Sequence, residues 1–396
     1  MQRILTIIGL QAYAVLLALY QGLGSVRTDE AKYLLDIPYP HPPLVRFIID
    51  LTEPLGYQEM LWRLLLATVL VQSVWIVLHM ARTFSREYFL TIGGLWIFSA
   101  AIIFQSGSIM MAPITAIQGL LFVWTLYEVE NGKWKVESAV WIAFLWLISL
   151  FTAYQALLYA PIVLAIFLRL KVPFTKIVLA IGLPILLVAL YITTNPLALA
   201  SFISAGGQNT HVPFLDVIQS VLGSWLWAGS GVLSIIGLIG MIRSKNNALL
   251  GSFVLVFLFL LVSYRSYYAI LFTPLLVGGV LFYPAVLKRS ATLLALHIVI
   301  SVWIFAQTTL SFSPSVARMV MQRLSDVPVQ GVVLVHGSFG HEWQYESTSP
   351  VMRYAPTLLS QAKAVVCLER CIGIQKYNFF QIGNIGQEVW VRKNGD

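Results

Sequence analysis

Apolar runs the length of a bilayer crossing dominate this chain and leave it few folds. About eleven such runs succeed one another, over residues 4–23, 60–80, 88–105, 113–128, 137–151, 153–169, 176–194, 216–241, 248–263, 267–286 and 291–310. A helix of about 20 residues is about 30 Å long, the thickness of the hydrocarbon layer, and only helices and closed barrels satisfy every backbone amide there. Barrel strands are shorter and alternate in polarity. Charged residues make up 11% of the 396 residues, against about a quarter in soluble domains. The chain therefore reads as an all-α polytopic membrane protein. The stretch 137–169 exceeds one crossing, and Thr152-Ala153-Tyr154-Gln155 divides it into two helices joined by a tight turn.

Basic residues orient these helices. With the N-terminus inside, the inner connections carry Arg3, then Arg82 and Arg86, Lys133 and Lys135, Arg169 with Lys171 and Lys176, Arg243 and Lys245, and Lys288 and Arg289. The opposite connections after the third, fifth and seventh runs carry no Lys or Arg. The net charge of +8 is thus explained by topology, and a nucleic-acid partner is not expected. The first apolar run is too long for a signal peptide and lacks a small-residue cleavage site, so it reads as a retained helix.

This arrangement puts residues 24–59, 195–215 and 311–396 on the extracytoplasmic side. It divides the chain into a helical body, 1–310, and a small α/β domain, 311–396. In the latter, Val332–Val335, Ala364–Leu368 and Glu388–Arg392 read as strands, with a helical pattern near 350–362. The two cysteines, Cys367 and Cys371, suit either a local disulfide or a pair of thiols.

Chemistry concentrates just after the first helix. Thr28-Asp29-Glu30-Ala31-Lys32-Tyr33 is followed by His41-Pro42-Pro43-Leu44, with Asp36, Tyr39 and Arg46 nearby. Carboxylates beside lipid are costly; taken alone the pair fits a helix end at the interface as well as a working site, and the residues that follow favour the site. Pro38, Pro40, Pro42 and Pro43 predict a stiff, non-helical loop. Adjacent carboxylates point in different directions in any regular backbone, so one faces a reacting centre while the other supports it.

An Asp-Glu pair, a tyrosine and then His-Pro-Pro-Leu after a first transmembrane helix resembles the membrane glycosyltransferases of GT-C fold. The nearest likeness is to the bacterial relatives of protein O-mannosyltransferases and of the lipid A aminoarabinose transferase. The resemblance covers roughly 1–310. It implies a polyprenyl-phosphate-linked sugar as donor, a hexosyl or pentosyl group moved with inversion to an extracytoplasmic acceptor, and a bacterial inner membrane as location. Asp29 is by resemblance the catalytic base. A phosphate leaving group departs without acid help, whereas the acceptor hydroxyl needs a base, so one carboxylate suffices. Glu30 then orients the acceptor or holds a divalent cation, the one cofactor this reading admits. The acceptor, whether glycan, lipid or protein, is not encoded in any motif. Two positions depart from the family pattern: Ile114 follows Pro113 where many relatives carry aspartate, and Ala153 precedes Tyr154 where many carry lysine.

The leaving phosphate needs cations or hydrogen-bond donors. Arg265, Tyr267 and Tyr268, within Ser263-Tyr264-Arg265-Ser266-Tyr267-Tyr268, resemble the family's late basic-aromatic segment. The same residues also fit an aromatic belt with a snorkelling arginine. Lys32 and Arg46 are alternative phosphate partners, Tyr33 a further contact. His41 fits either the donor or the loop's own backbone. His336, His341 and Glu342 do not match an established metal pattern, and Gly337-Ser338-Phe339-Gly340 reads as a turn. Two rival functions remain at this level. One is a transporter or flippase of lipid-linked glycans, which would need a gated central cavity. The other is a member of the fold that has lost its chemistry.

Overall fold

The computed structural model describes residues 2–35, 37, 42–56, 58–206, 212–310, 315–325, 331–337, 339–369, 371, 374–377, 379–384 and 388–392. Contacts divide the chain into two compact units. One comprises Met1–Gln21 with Pro38–Ser311, the other Gly22–Ile37 with Phe312–Asp396. The sequence division at residue 311 had left residues 24–37 with the helical body; contacts group them with the C-terminal unit.

The first unit is helical. Its elements are α1 (Gln2–Leu23), which ends in the second unit, then α3 (Leu44–Thr52), α4 (Gln58–Gln72), α5 (Val74–Met80), α6 (Arg86–Ile97), α7 (Ala100–Gln105) and α8 (Met111–Glu130). There follow α9 (Ala139–Thr152), α10 (Ala160–Arg169), α11 (Phe174–Thr194), α12 (Pro196–Gly206), α13 (Phe214–Ala228), α14 (Val232–Ser244), α15 (Asn247–Val262), α16 (Phe272–Phe282) and α17 (Ser290–Leu310). Short α2 (Thr28–Leu34) belongs to the second unit. Among the described residues, five helical stretches are long and apolar enough to cross a membrane: Ile4–Leu23, Gln58–Thr83, Met111–Glu130, Phe174–Thr194 and Ser290–Thr308. Shorter apolar helices cover Val136–Thr152, Tyr154–Arg169, Asn247–Val262 and Ser266–Phe282.

Some expected crossings are not continuous helices. The run 88–105 breaks at Phe98 and Ser99 into α6 and α7. The run 216–241 bends by 97° between α13 and α14. The corner is Gly229-Ser230-Gly231. Ser230 and Gly231 take positive φ angles of 49° and 70°, and a Cβ on Gly229 would lie 2.6 Å from the Ser234 amide nitrogen. Ser234 Oγ donates to the carbonyls of Trp225 and Leu226 at 2.7 and 3.1 Å. Ser230 Oγ, fully buried, accepts from the Ala100 amide at 2.9 Å and from Ser301 Oγ at 2.8 Å. Hydrophobic periodicity carries no sign of such a corner, because both helices remain apolar.

Small residues let α14 and α16 meet backbone to backbone. A Cβ on Gly237 would sit 2.6 Å from the Leu276 carbonyl oxygen. Within lipid, such close approach is what van der Waals packing uses in place of a hydrophobic drive.

In the second unit, α18 (Val316–Ser325) precedes β1 (Val332–His336), α19 (Glu342–Glu346), β2 (Val351–Arg353), β3 (Ala362–Cys367), β4 (Phe379–Asn384) and β5 (Glu388–Arg392). The sheet order is β2-β1-β3-β5-β4, with β1 parallel to both β2 and β3. Alternate residues serve opposite faces, as strand geometry requires. Val333, Val335 and Val366 pack with Ala317 and Val320 of α18; Leu334, Val365 and Trp390 pack with Leu359 and Phe379. The three strands expected from the sequence are present. The helix expected near 350–362 is not: that stretch forms β2 and a single 3-10 turn at Pro356–Leu358. Pro356 suits the start of a turn and disfavours a helix interior, where it removes an amide donor. Cys367 and Cys371 form a disulfide, closing the alternative left open above.

Candidate active site

The acidic motif is helical at its start. Asp29 and Glu30 occupy the first turn of α2, where exposed amides favour negative charge. Glu30, 1% exposed, accepts a hydrogen bond from the Arg27 amide at 2.8 Å, the return half of a capping box. That contact is what permits a helix here, against the non-helical loop expected. The prolines act only later: Leu35 caps α2, and Pro43 caps α3. Ser25, at φ 66°, turns the chain out of α1.

Asp29 keeps a partly exposed carboxylate, with 25% of its side-chain surface open. Its Oδ1 lies 3.0 Å from Lys32 Nζ, one turn along α2. A pair this open contributes about 0–1 kcal/mol, so it orients Asp29 without locking it. Tyr33 is buried on the same helix. The structure therefore groups Asp29, Glu30, Lys32 and Tyr33 on α2 of the second unit. Arg46 lies on α3 of the first unit, half-buried. His41 falls outside the described residues.

A second group forms where α9 and α15 end. The chain passes from α9 into a 3-10 turn, Tyr154–Tyr159, and from α15 into another, Ser266–Leu271. Gln155 Nε2 donates to Tyr268 Oη at 2.9 Å, and Tyr159 Oη donates to the Leu271 carbonyl at 3.0 Å. The rings of Tyr267 and Tyr268 lie 4.5 Å apart, and Tyr264 Oη shares a 2.7 Å hydrogen bond with Ser224 Oγ. Arg265 stands exposed beside these buried or half-buried tyrosines. The break at Thr152–Gln155 thus does more than turn the chain, for it anchors the tyrosine segment. Gln155 escaped the sequence reading because a lone glutamine near a helix end carries no motif.

Arg63 escaped as well. It lies inside Gln58–Thr83, fully buried, with Nε 3.0 Å from Glu59 Oε1 and Nη1 donating 2.9 Å to the Gly107 carbonyl. Gly107 has φ +86°, and a Cβ there would come within 3.2 Å of Ala18 Cα. Gln21 Nε2 donates to the Phe104 carbonyl at 2.8 Å nearby. The arginine therefore pins the connection between α7 and α8, just before Pro113 and Ile114. A charge inside an apolar run, one helical turn from an opposite charge, was the legible signal.

A purely apolar groove of about 460 Å³ lies between α3 and α9, lined by Pro43, Leu44, Phe47, Leu147, Ile148 and Phe151. Among the described residues, no group of three or more His, Cys, Asp or Glu gathers as a metal site. His341 Nδ1 lies 2.8 Å from Gln344 Oε1, and the His336 ring meets Tyr354 edge-on.

No protein-family model matches the chain, and no curated protein matches it in sequence. Among solved structures it is similar to the oligosaccharyltransferase of Archaeoglobus fulgidus, determined in complex with zinc and sulfate. The match has a TM-score of 0.50 and 12% identity, and covers 90% of this chain and 67% of that one. At that identity the likeness is one of fold. It supports the polytopic GT-C-type fold expected from the acidic motif.

Proposed function

We propose that this multi-pass membrane protein is a glycosyltransferase that moves a sugar from a polyprenyl-phosphate donor to an extracytoplasmic acceptor, with Asp29 as base. The observation that carries this is a partly exposed carboxylate in the first turn of a short helix, directly after the first apolar helix of a GT-C-like fold. In the reaction the acceptor oxygen attacks the anomeric carbon while the bond to the phosphate oxygen breaks. The hydroxyl proton passes to Asp29, and the electron pair leaves with the phosphate. Configuration inverts because attack and departure occur on opposite faces. Arg265 is the favoured phosphate contact because of its tyrosine-lined surroundings, and Lys32 and Arg46 are the alternatives. The apolar groove beside Pro43 suits an isoprenoid chain, which needs only non-polar contact. Glu30, engaged with the Arg27 amide, supports the helix that carries Asp29.

The test is to profile lipid-linked sugars and surface glycans by mass spectrometry in cells with and without the protein. Loss of one glycan together with accumulation of a polyprenyl-phosphate sugar is the expected result. Identical profiles would overturn the assignment.

The same reading puts 24–59, 195–215 and 311–396 outside the cytoplasm. The disulfide agrees, because such bonds persist in oxidising compartments. Four crossings separate residue 208 from the C-terminal unit if α13 and α14 together cross once, as Arg243 and Lys245 on the inner side require. If that bent pair is re-entrant, only three remain. Gln208→Cys and Thr348→Cys should therefore both react with an impermeant thiol reagent in intact cells or spheroplasts, and Lys171→Cys should not. Labelling at only one of the first two would show a re-entrant pair and reverse the sidedness of the tail.

A further inference from the structure

We infer that the C-terminal unit holds the candidate base in place, with Arg318, Glu342 and Glu346 acting as positioning residues for α2. This rests on the assignment of Asp29 above. The contacts recur every three residues along the segment that leads to it. At residue 22, Arg318 Nη1 donates at 2.9 Å to the Gly22 carbonyl at the end of α1, which also accepts from the Ser25 amide at 3.2 Å. At residue 25, Ser25 Oγ donates to Glu346 Oε1 at 2.6 Å. At residue 28, the Thr28 hydroxyl donates to Glu342 Oε2. Asp29 comes next.

The two glutamates sit at the ends of α19, and Arg318 ties that helix to α18. Its Nε lies 3.1 Å from both oxygens of Glu346, and Nη2 lies 3.0 Å from Oε1. Gly340 stands where a Cβ would strike Thr28 and Glu342, so the chain is bare at the point of closest approach. These partners lie 296 to 321 residues from the segment they hold.

Local forces do not suffice for this task. A helix of seven residues is far below the length at which helices persist alone in water. Ser25 also holds a positive φ that a serine adopts rarely without support. The hold on residues 22–28 is what keeps α2 formed and its carboxylate in one orientation. The tail is then part of the catalytic apparatus, although it supplies no atom to the reaction.

Hydrogen exchange of the purified full-length protein tests this without any substrate. Arg318→Gln, Glu342→Gln and Gly340→Ala should each speed exchange across residues 22–35 by about 3–10-fold, the effect of weakening one or two partly buried hydrogen bonds. Exchange in the strands 332–336 and 362–367 should not change, nor should that of 22–35 in Arg323→Gln, a neighbour outside the network. Arg318→Lys should restore part of the protection, since it keeps the charge and loses the fork. Where Arg318→Gln loosens the sheet too, Glu342→Gln decides. Unchanged exchange over 22–35 in these variants overturns the inference. The glycan profile of cells carrying each variant provides the second readout. If Asp29→Asn removes the product and Arg318→Gln and Glu342→Gln do not, positioning is refuted while the base stands. If Asp29→Asn leaves the product intact and exchange still rises, the base assignment fails and the hold survives.

Discussion

Asp29→Asn is expected to insert and fold as the unaltered protein does and to transfer sugar about 10²–10⁴-fold more slowly, the usual worth of a general base. Asparagine keeps the shape and can still accept a hydrogen bond from Lys32 through Oδ1. The partly exposed ion pair with Lys32 gives way to a neutral contact, a change of about 0–1 kcal/mol. What disappears is the ability to take a proton from the acceptor hydroxyl. The comparison with Glu30→Gln isolates the role. Glutamine retains the oxygen that accepts from the Arg27 amide, so α2 keeps its cap and transfer should fall by less than about tenfold. The measurement is product formation, using the glycan identified from cell profiles, in variants matched for membrane abundance. Near-normal turnover in Asp29→Asn would remove Asp29 from the chemistry. A collapse in Glu30→Gln alone would exchange the two carboxylates' roles.

The helical character of the body was legible because its apolar runs carry few charges, although among the described residues five helical stretches are long enough to cross hydrocarbon. Where that pattern is silent, the sequence misled. The bend at Gly229-Ser230-Gly231 depends on two positive φ angles and on Ser234 reaching back to Trp225, and neither alters the apolar pattern. The acidic motif was found from its composition, yet its backbone was misjudged. Proline was given the whole loop, whereas a first-turn glutamate with a free amide behind it wins the residues before Leu35. The tail's strands could be read from their continuous apolar character. Its grip on residues 22–28 could not, because pairs such as Ser25 and Glu346 share no local pattern across 321 residues of chain. Arg63 and Glu59 are a charge pair one helical turn apart within an apolar run, a pattern that the charge of the loops does not contain.

Arg265 presents a sharper choice. A belt arginine anchors its helix by snorkelling and shares that task with many aromatic residues, so Arg265→Gln should cost little. A phosphate ligand behaves otherwise. The guanidinium is exposed, while its neighbours are committed elsewhere: Tyr268 to Gln155, and Tyr264 to Ser224. An aromatic wall held by hydrogen bonds, with an exposed charge at its edge, can take up and release an anion without rebuilding the site. Losing a charge-assisted contact costs about 1.5–3 kcal/mol, so donor affinity should fall roughly 10–100-fold in Arg265→Gln. Lysine restores charge without the planar fork, and Arg265→Lys should recover only part of that loss. Gln155→Leu gives an independent handle. It removes one hydrogen bond from the Tyr268 hydroxyl without touching the charge, and should weaken donor binding less than Arg265→Gln. The assay is retention of the polyprenyl-phosphate sugar that accumulates in cells lacking the protein, measured on purified variants of equal yield. Unchanged retention in both arginine variants would return Arg265 to the aromatic belt and move the phosphate contact to Lys32 or Arg46.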